Sequence, residues 1–157
     1  MKPLDDLYFM REAIREGRKA LKNGDVPVGA VVVLENRIIG RGHNQVELLK
    51  DPTAHAEMIA ITAACATIGE KWLYQATLYV TVEPCAMCAG ASVLARLKRV
   101  VYGVQDIKTG AHSSLFNLLN DPRLNHQIEV TPGLARDECA ALMMEFFRQL
   151  RKKNGDD

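Results

Sequence analysis

The chain has 157 residues, of which 48% are hydrophobic and 25% are charged, and its formal net charge is +1. This length predicts a single domain over residues 1–157, and the composition excludes a disordered or a fibrous chain. A protein that coats nucleic acid by charge alone would be far more basic, so an RNA partner would have to be met by a local patch.

The uncharged stretches are shorter than the ~20 residues of a membrane-spanning helix. The N-terminal segment carries Asp5, Asp6, Arg11 and Glu12, where a signal peptide would be apolar. We therefore expect a cytoplasmic protein, in which thiols stay reduced. In that compartment the C-x-x-C spacing of Cys85 and Cys88 indicates metal or redox chemistry rather than a disulfide framework.

Apolar residues recur at helical spacing over residues 5–22, and Asn23-Gly24 ends this predicted helix. The apolar run 28–34 is typical of a strand that is buried on both faces. Glu35-Asn36 predicts a tight turn, after which residues 37–40 return as the hairpin partner.

The rest of the chain alternates between helical and strand patterns. The predicted elements are a helix over 53–68 with Asp51 as its N-cap, a strand over 77–82, a helix from Pro84 to about Leu97, strands over 99–103 and 127–130, and a helix over 137–152. The element order is α, β-hairpin, α, β, α, β, α, β, α, with one side of the last helix formed by Cys139, Leu142, Met143, Phe146 and Leu150. Strands separated by helices favour parallel pairing, so we predict a three-layer α/β/α domain with a mixed sheet of about five strands.

Chemistry-bearing residues lie at two of the predicted helix starts. Cys85 and Cys88 are neighbours on one helix face, where unpaired N–H groups favour thiolates. Two thiolates and the imidazole of His55 suit zinc and leave a fourth tetrahedral position for water. Glu57 follows His55 by two residues, and a carboxylate that does not bind the metal could serve as a proton shuttle.

Each feature also has a simpler interpretation. The C-x-x-C pair could be a thiol–disulfide motif, His55 a helix cap, and Glu57 a residue that complements the helix dipole. A closed structural zinc site would need a fourth ligand, for which the candidates are His43, His112 and His126, with Cys65 and Cys139 as weaker ones. The joint pattern of H-x-E, a strand and P-C-x-x-C favours catalytic zinc, and it is the known signature of zinc-dependent nucleobase deaminases.

The similarity to known proteins extends well beyond that signature. It is similar over nearly its whole length to the bacterial tRNA-specific adenosine deaminases, within the cytidine and deoxycytidylate deaminase superfamily. The similar segments are 26–31, Asn44, 51–57, 78–81, 83–91, 100–103, Asp106, 108–110, 118–120, 125–126 and 146–148. Residues 111–114 depart from the glycine-containing segment expected in relatives.

The resemblance implies a cytidine deaminase-like fold, a homodimer with one zinc ion per subunit, and conversion of the wobble adenosine of a tRNA anticodon, chiefly an arginine tRNA, to inosine. It implies attack of a zinc-activated hydroxide on C6, with Glu57 as proton shuttle and release of ammonia. The implied zinc ligands are His55, Cys85 and Cys88. The implied RNA contacts are Asn44 on the flipped nucleotide, Pro27, Val28 and Val82 around the base, Asp106 on the anticodon loop, and Phe146, Phe147 and Arg148 on neighbouring nucleotides.

Two other functions stay open from the sequence. One is a deaminase of a free base or nucleotide, such as guanine or deoxycytidylate. The other is a non-catalytic zinc module or an RNA-binding scaffold, against which Glu57 argues because a structural zinc has no need of it. Positive charge for RNA binding is available in two groups, residues 148–153 and residues 96–99, although cations near a helix C-terminus also complement its dipole.

Overall fold

A mixed five-stranded sheet organises the structure, a computed structural model that describes residues 4–155. The elements are α1 (Asp6–Lys22), β1 (Gly29–Leu34), β2 (Arg37–His43), α2 (Val46–Leu49), α3 (Ala56–Ile68), β3 (Thr77–Val82), α4 (Ala86–Leu94), β4 (Arg99–Val104), β5 (Glu129–Pro132) and α5 (Arg136–Lys153). The strand order is β2-β1-β3-β4-β5. β1 is antiparallel to both β2 and β3, whereas β3, β4 and β5 are parallel.

Helices cover both faces of the sheet, as the predicted α/β/α architecture requires. Alternate residues of a strand point to opposite faces. On β1, Ala30 and Val32 face a core that includes side chains of α3 and α4, whereas Val31 and Val33 face a core that includes α1 and α5. Within residues 4–155, none of the helices combines the length and the hydropathy that a membrane span requires.

The helix predicted over 53–68 begins only at Ala56, so its predicted start was wrong. Asp51 accepts hydrogen bonds from the backbone N–H and the hydroxyl of Thr53, at 2.8 and 2.7 Å, and so forms a turn ahead of the helix. The cap comes from a distant residue, because the Asn44 side-chain oxygen accepts the hydrogen bond of the Ala56 N–H. His55 therefore occupies the N-cap position of α3.

Other boundaries also differ from the predictions. α4 is shorter than predicted at both ends, β2 runs on to His43, and α2 was not predicted. No helix forms in residues 105–128, where turns connect β4 to β5. β5 begins two residues later than predicted because buried Ile128 bonds to Leu119 rather than to β4. Of the residues predicted on one side of the last helix, Cys139 and Leu142 are buried, whereas Leu150 is 41% exposed, as is every described residue from Phe147 onward.

Two glycines of β2 bring α3 close to the sheet. A Cβ at Gly40 would overlap the carbonyl oxygen of Ala60, and one at Gly42 would overlap that of Ala56. Because larger residues would push α3 away, these glycines fix the distance of the helix start from the hairpin. They therefore position His55, which directly precedes α3.

Candidate metal centre and nucleobase pocket

His55, Cys85 and Cys88 come together from the starts of two helices. His55 is the N-cap of α3, Cys85 is the N-cap of α4, and Cys88 lies in the first turn of α4. The His55 Nδ1 atom is 3.6 Å from the sulfur of Cys85 and 3.6 Å from that of Cys88. In a tetrahedral zinc site with ordinary bond lengths, a nitrogen and a sulfur ligand lie about 3.6 Å apart. The three donor atoms therefore fit a zinc ion.

The two sulfurs are electrostatically coupled. The Cys88 thiol donates a hydrogen bond to Cys85, which lowers the pKa of Cys85 to about 4 despite its partial burial. The same bond, together with burial, raises the pKa of Cys88. The hydrogen bond with the Cys85 sulfur also raises the pKa of His55. Both sulfurs would be thiolates when they bind a divalent cation, so metal binding there releases protons.

Residues 4–155 offer no fourth metal ligand beside this trio. The histidines considered for that role have other polar neighbours: His43 lies near Glu16, His112 near Tyr102 and His126 near Leu97. Cys139 packs in the core on the opposite face of the sheet. The geometry therefore matches a catalytic site, in which three protein ligands leave one position open, better than a closed structural one.

Glu57 lies beside the trio as the second residue of α3 and is 3% exposed. It lines the same cavity as His55 and Cys85. Burial raises the pKa of Glu57 to about 7. A carboxyl group whose pKa lies near neutral pH can both accept and donate a proton there, as general acid–base catalysis requires.

A cavity of about 350 Å³ opens over the trio, which is a size typical of small-molecule sites. Its apolar lining includes Val28, which directly precedes β1, and Val82, the last residue of β3. Its polar lining includes Asn44, Asp106 and Thr109. Neither lysine nor arginine is among the described residues that line it, whereas five carboxylates are: Asp25, Glu47, Glu57, Glu83 and Asp106.

Three comparisons identify the family. A family model described as MafB19-like deaminase matches residues 4–151. The chain is 51% identical over 149 residues to the tRNA-specific adenosine deaminase of Bacillus subtilis (strain 168), with 95% of this chain and 92% of that protein covered. It is 48% identical over 146 residues to the protein of the same name from Aquifex aeolicus (strain VF5), covering 92% and 95% of the two chains. The chain belongs to the tRNA-specific adenosine deaminase family.

Solved structures agree with this membership. A structure from a study of A-to-I editing by tRNA:A34 deaminases superposes with a TM-score of 0.83 at 44% identity, covering 86% of this chain and 98% of the other. A guanine deaminase from Nitrosomonas europaea gives a TM-score of 0.80 at 24% identity, covering 92% and 86%, and so shares the fold. The predicted cytidine deaminase-like fold is confirmed.

In this member of the adenosine deaminase family, the structure brings only some of the predicted RNA-contacting residues to the cavity. Asn44, Val28, Val82 and Asp106 line it. Pro27 is buried and does not line the cavity, whereas its neighbour Val26 does.

Residues 146–148 are not among the lining of the cavity and lie on α5. The ring of Phe147 is 47% exposed and contacts the half-buried ring of Phe146, with centroids 5.5 Å apart. Arg148 pairs with Glu145. In the second basic group, Arg99 is engaged by Asp6 through two hydrogen bonds of 2.8 and 2.9 Å.

Two buried carboxylates of the deaminase cavity were not predicted. Asp25 accepts hydrogen bonds from the Val26 and Glu47 N–H groups and so ties α2 to the segment before β1. Glu83 follows β3 and accepts hydrogen bonds from the loop after β4. Burial alone would raise the pKa of Glu83, but these bonds and one from Ser114 hold it below its usual value. Glu83 directly precedes Pro84-Cys85, and that adjacency was the available signal.

Proposed function

We propose that this chain deaminates the wobble adenosine of a tRNA anticodon, chiefly of an arginine tRNA, to inosine. The proposal depends on one observation: a trio of residues that fits zinc and the buried carboxyl group of Glu57 lie at the same cavity. In the trio, the nitrogen donor is 3.6 Å from each sulfur donor. The relatives' names support tRNA adenosine as the substrate. We also propose that residues 1–157 act as one domain in the cytoplasm.

His55, Cys85 and Cys88 would hold one zinc ion per chain. When bound there, zinc supplies a Lewis acid that makes a water molecule a stronger nucleophile. Glu57 accepts a proton from the attacking water and delivers a proton to N1 of the adenine. The water oxygen bonds to C6, and Glu57 then takes the second proton of that oxygen and passes it to the amino nitrogen. The bond from C6 to that nitrogen breaks, so that ammonia leaves and a carbonyl group remains at C6. The net reaction consumes one water and yields inosine and ammonia.

Asn44 orients the nucleotide in this proposal. Its side-chain oxygen is already engaged by the Ala56 N–H at 2.8 Å, so its amide nitrogen is the end available to the substrate. Val28 and Val82 present apolar surface to the faces of the base. A base in an unpaired anticodon loop is easier to extrude into such a cavity than one in a duplex.

The charge of the cavity helps to decide between RNA and a free nucleotide as the substrate. A nucleoside monophosphate such as deoxycytidylate would bring its phosphate to a cavity lined by five carboxylates, and no lysine or arginine lines the cavity in residues 4–155 to receive it. An anticodon loop can place its phosphates elsewhere, including near the exposed basic residues at the end of α5. This charge distribution favours RNA over deoxycytidylate as the substrate. On α5, Phe147 and Arg148 are proposed to contact the nucleotides next to the target adenosine.

An apolar groove on α4 supports the proposed homodimer. Met87, Gly90 and Leu94 line it with Met58 and Leu124, and Leu94 is 73% exposed. Exposed apolar patches of this kind mark interaction surfaces. A second copy of the chain is the proposed occupant, which predicts a dimer in light scattering and a monomer for Leu94→Glu. A wild-type monomer at micromolar concentration would exclude it.

The decisive experiment compares substrates. The purified protein is incubated with an anticodon stem-loop that carries adenosine at the wobble position and with a matched stem-loop whose adenosine is moved one nucleotide away. Free adenosine, guanine, cytidine and deoxycytidylate complete the set. We expect inosine only in the first stem-loop, whereas turnover of a free base alone would overturn the proposed substrate.

A further inference from the structure

Glu83 is a buried carboxylate whose partners are loop groups instead of a cation. It is 2% exposed and makes no salt bridge with any described residue. It accepts hydrogen bonds from the backbone N–H groups of Asp106 at 3.2 Å, His112 at 2.9 Å, Ser113 at 3.0 Å and Ser114 at 3.2 Å. The Ser114 hydroxyl donates a fifth bond. A buried charge satisfied by this many donors is costly to disturb.

The donors all belong to residues 105–114, which we call the recognition loop because Asp106 and Thr109 within it line the cavity. The loop also lies against the metal-binding segment. Gly110 forms an isolated β-bridge with Cys85, and the Ala111 N–H donates to the Pro84 carbonyl oxygen at 2.8 Å. Glu83 therefore lies between the loop that lines the cavity and the segment that carries a proposed zinc ligand.

Gly110 shows how closely the carboxylate and the loop approach. A Cβ on this residue would lie only 2.5 Å from both carboxylate oxygens of Glu83. Contacts of this length are not tolerated, so the carboxylate, which five loop donors hold in place, would have to move. Substitution of Gly110 by alanine thus perturbs the Glu83 contacts from the loop side, without altering Glu83.

We propose that Glu83 is a positioning residue that fixes the recognition loop against the nucleobase cavity and so sets how tightly the RNA substrate is held. This inference rests on the proposed function for its substrate. Zinc binding should not depend on the bonds that the Glu83 carboxylate accepts, because their donors all lie in the recognition loop and none is a proposed zinc ligand. The Asp106 N–H bond is the link that matters most, since it anchors the loop at the cavity-lining residue itself.

Three variants and one matched control test this role. Glu83→Gln removes acceptor capacity, Ser114→Ala removes only the hydroxyl donor, and Gly110→Ala displaces the carboxylate. Glu12→Gln is the control, because Glu12 is also a buried carboxylate but pairs with Arg15 and Arg41 far along the chain from the loop. For each, we would measure zinc content, hydrogen exchange of the amides in residues 105–114, and kcat and KM on the stem-loop.

We expect Glu83→Gln and Gly110→Ala to lose exchange protection across the recognition loop, and KM to rise about tenfold while kcat changes less than threefold. Ser114→Ala should change exchange protection and KM in the same directions but by smaller amounts. If Glu83→Gln does not fold, Ser114→Ala decides the question alone. Zinc content should stay at one per chain in Glu83→Gln and Ser114→Ala, which leave the bridge between Gly110 and Cys85 in place. Glu12→Gln should leave the loop amides and KM unchanged.

Unchanged loop protection in Glu83→Gln, or a fall in kcat with KM unchanged, would overturn the proposal, and so would loss of zinc from Ser114→Ala. The exchange measurement needs no substrate. If the wild-type protein fails to deaminate the stem-loop, the proposed function fails, while loop exchange still tests the role of Glu83.

Discussion

The Asn44 side-chain oxygen accepts a hydrogen bond from the Ala56 N–H at 2.8 Å and thereby caps the helix that follows His55. This side chain thus holds the start of α3 with its oxygen, and Asn44 also lines the cavity. A residue proposed to bind substrate is therefore also part of the structure that positions a proposed zinc ligand.

This dual role can be separated with two substitutions. Asn44→Asp keeps an oxygen that can cap Ala56 but removes the donor and adds a charge to the cavity. We expect its stability to stay close to that of wild type, whereas Asn44→Ala loses the cap and about 1–2 kcal/mol of stability. Both should lower kcat/KM on the stem-loop about 100-fold. Full activity of Asn44→Asp would show that the amide nitrogen has no role in substrate binding.

Glu57 is expected to matter for the reaction and not for metal binding. Glu57→Gln keeps the shape of the side chain but cannot carry the proton. We predict that it retains one zinc per chain and that kcat falls about 10²–10⁴-fold, the range of general acid–base catalysis. Exposed Glu70, which lies two residues after the end of α3, gives the matched control Glu70→Gln, which should behave as wild type. A Glu57→Gln protein with normal kcat would remove Glu57 from the mechanism.

The cysteines should divide into two pairs by function. Cys88→Ser is expected to lose zinc and deamination together, because serine is a poor ligand for zinc. Cys65→Ser should keep both, since Cys65 is half-buried on α3 and its sulfur contacts the Lys71 carbonyl oxygen. Metal analysis of the two purified variants makes the comparison, and equal zinc content in both would contradict the proposed ligand set.

Asp6 should make stability depend on pH. Its hydrogen bonds with Arg99 outweigh the effect of burial and lower its pKa below 3.8. A group whose folded-state pKa is depressed stabilises the protein above its unfolded pKa, and that stabilisation disappears as the pH falls through the folded value. Asp6→Asn should therefore be less stable than wild type at pH 7 by about 1 kcal/mol, a modest value because Asp6 is partly exposed and solvent screens the pair.

Urea unfolding at pH 7 and again at a pH well below 3.8 measures this effect. We expect the difference between wild type and Asp6→Asn to shrink at the lower pH. The difference should be absent at both pH values for Glu70→Gln, whose carboxylate is exposed. A difference between wild type and Asp6→Asn that persists unchanged at the acid pH would argue against the ionised pair as its source.

Features encoded by neighbouring residues could be predicted from the sequence. The apolar run of β1 and the alternating pattern of β3 place two central strands nearly to the residue. The metal-binding trio could be predicted because H-x-E and P-C-x-x-C are short motifs at helix starts, where thiolates and carboxylates are favoured.

Features that depend on residues far apart in the chain could not be predicted from the sequence. The start of α3 was misplaced because its cap comes from Asn44, 12 residues before Ala56. Glu83 was not recognised because its partners lie 23–31 residues later in a loop without periodicity. The start of β5 was also misplaced, because the Ile128 N–H bonds to the loop residue Leu119 and not to a neighbouring strand.

The coordination of the metal tests the central claim most directly. X-ray absorption at the zinc edge of the purified protein reports the number and kind of ligand atoms. The account predicts one zinc per chain with two sulfur and two nitrogen or oxygen neighbours, of which one oxygen exchanges with solvent. Protein purified without zinc, or zinc with four protein ligands, would contradict it.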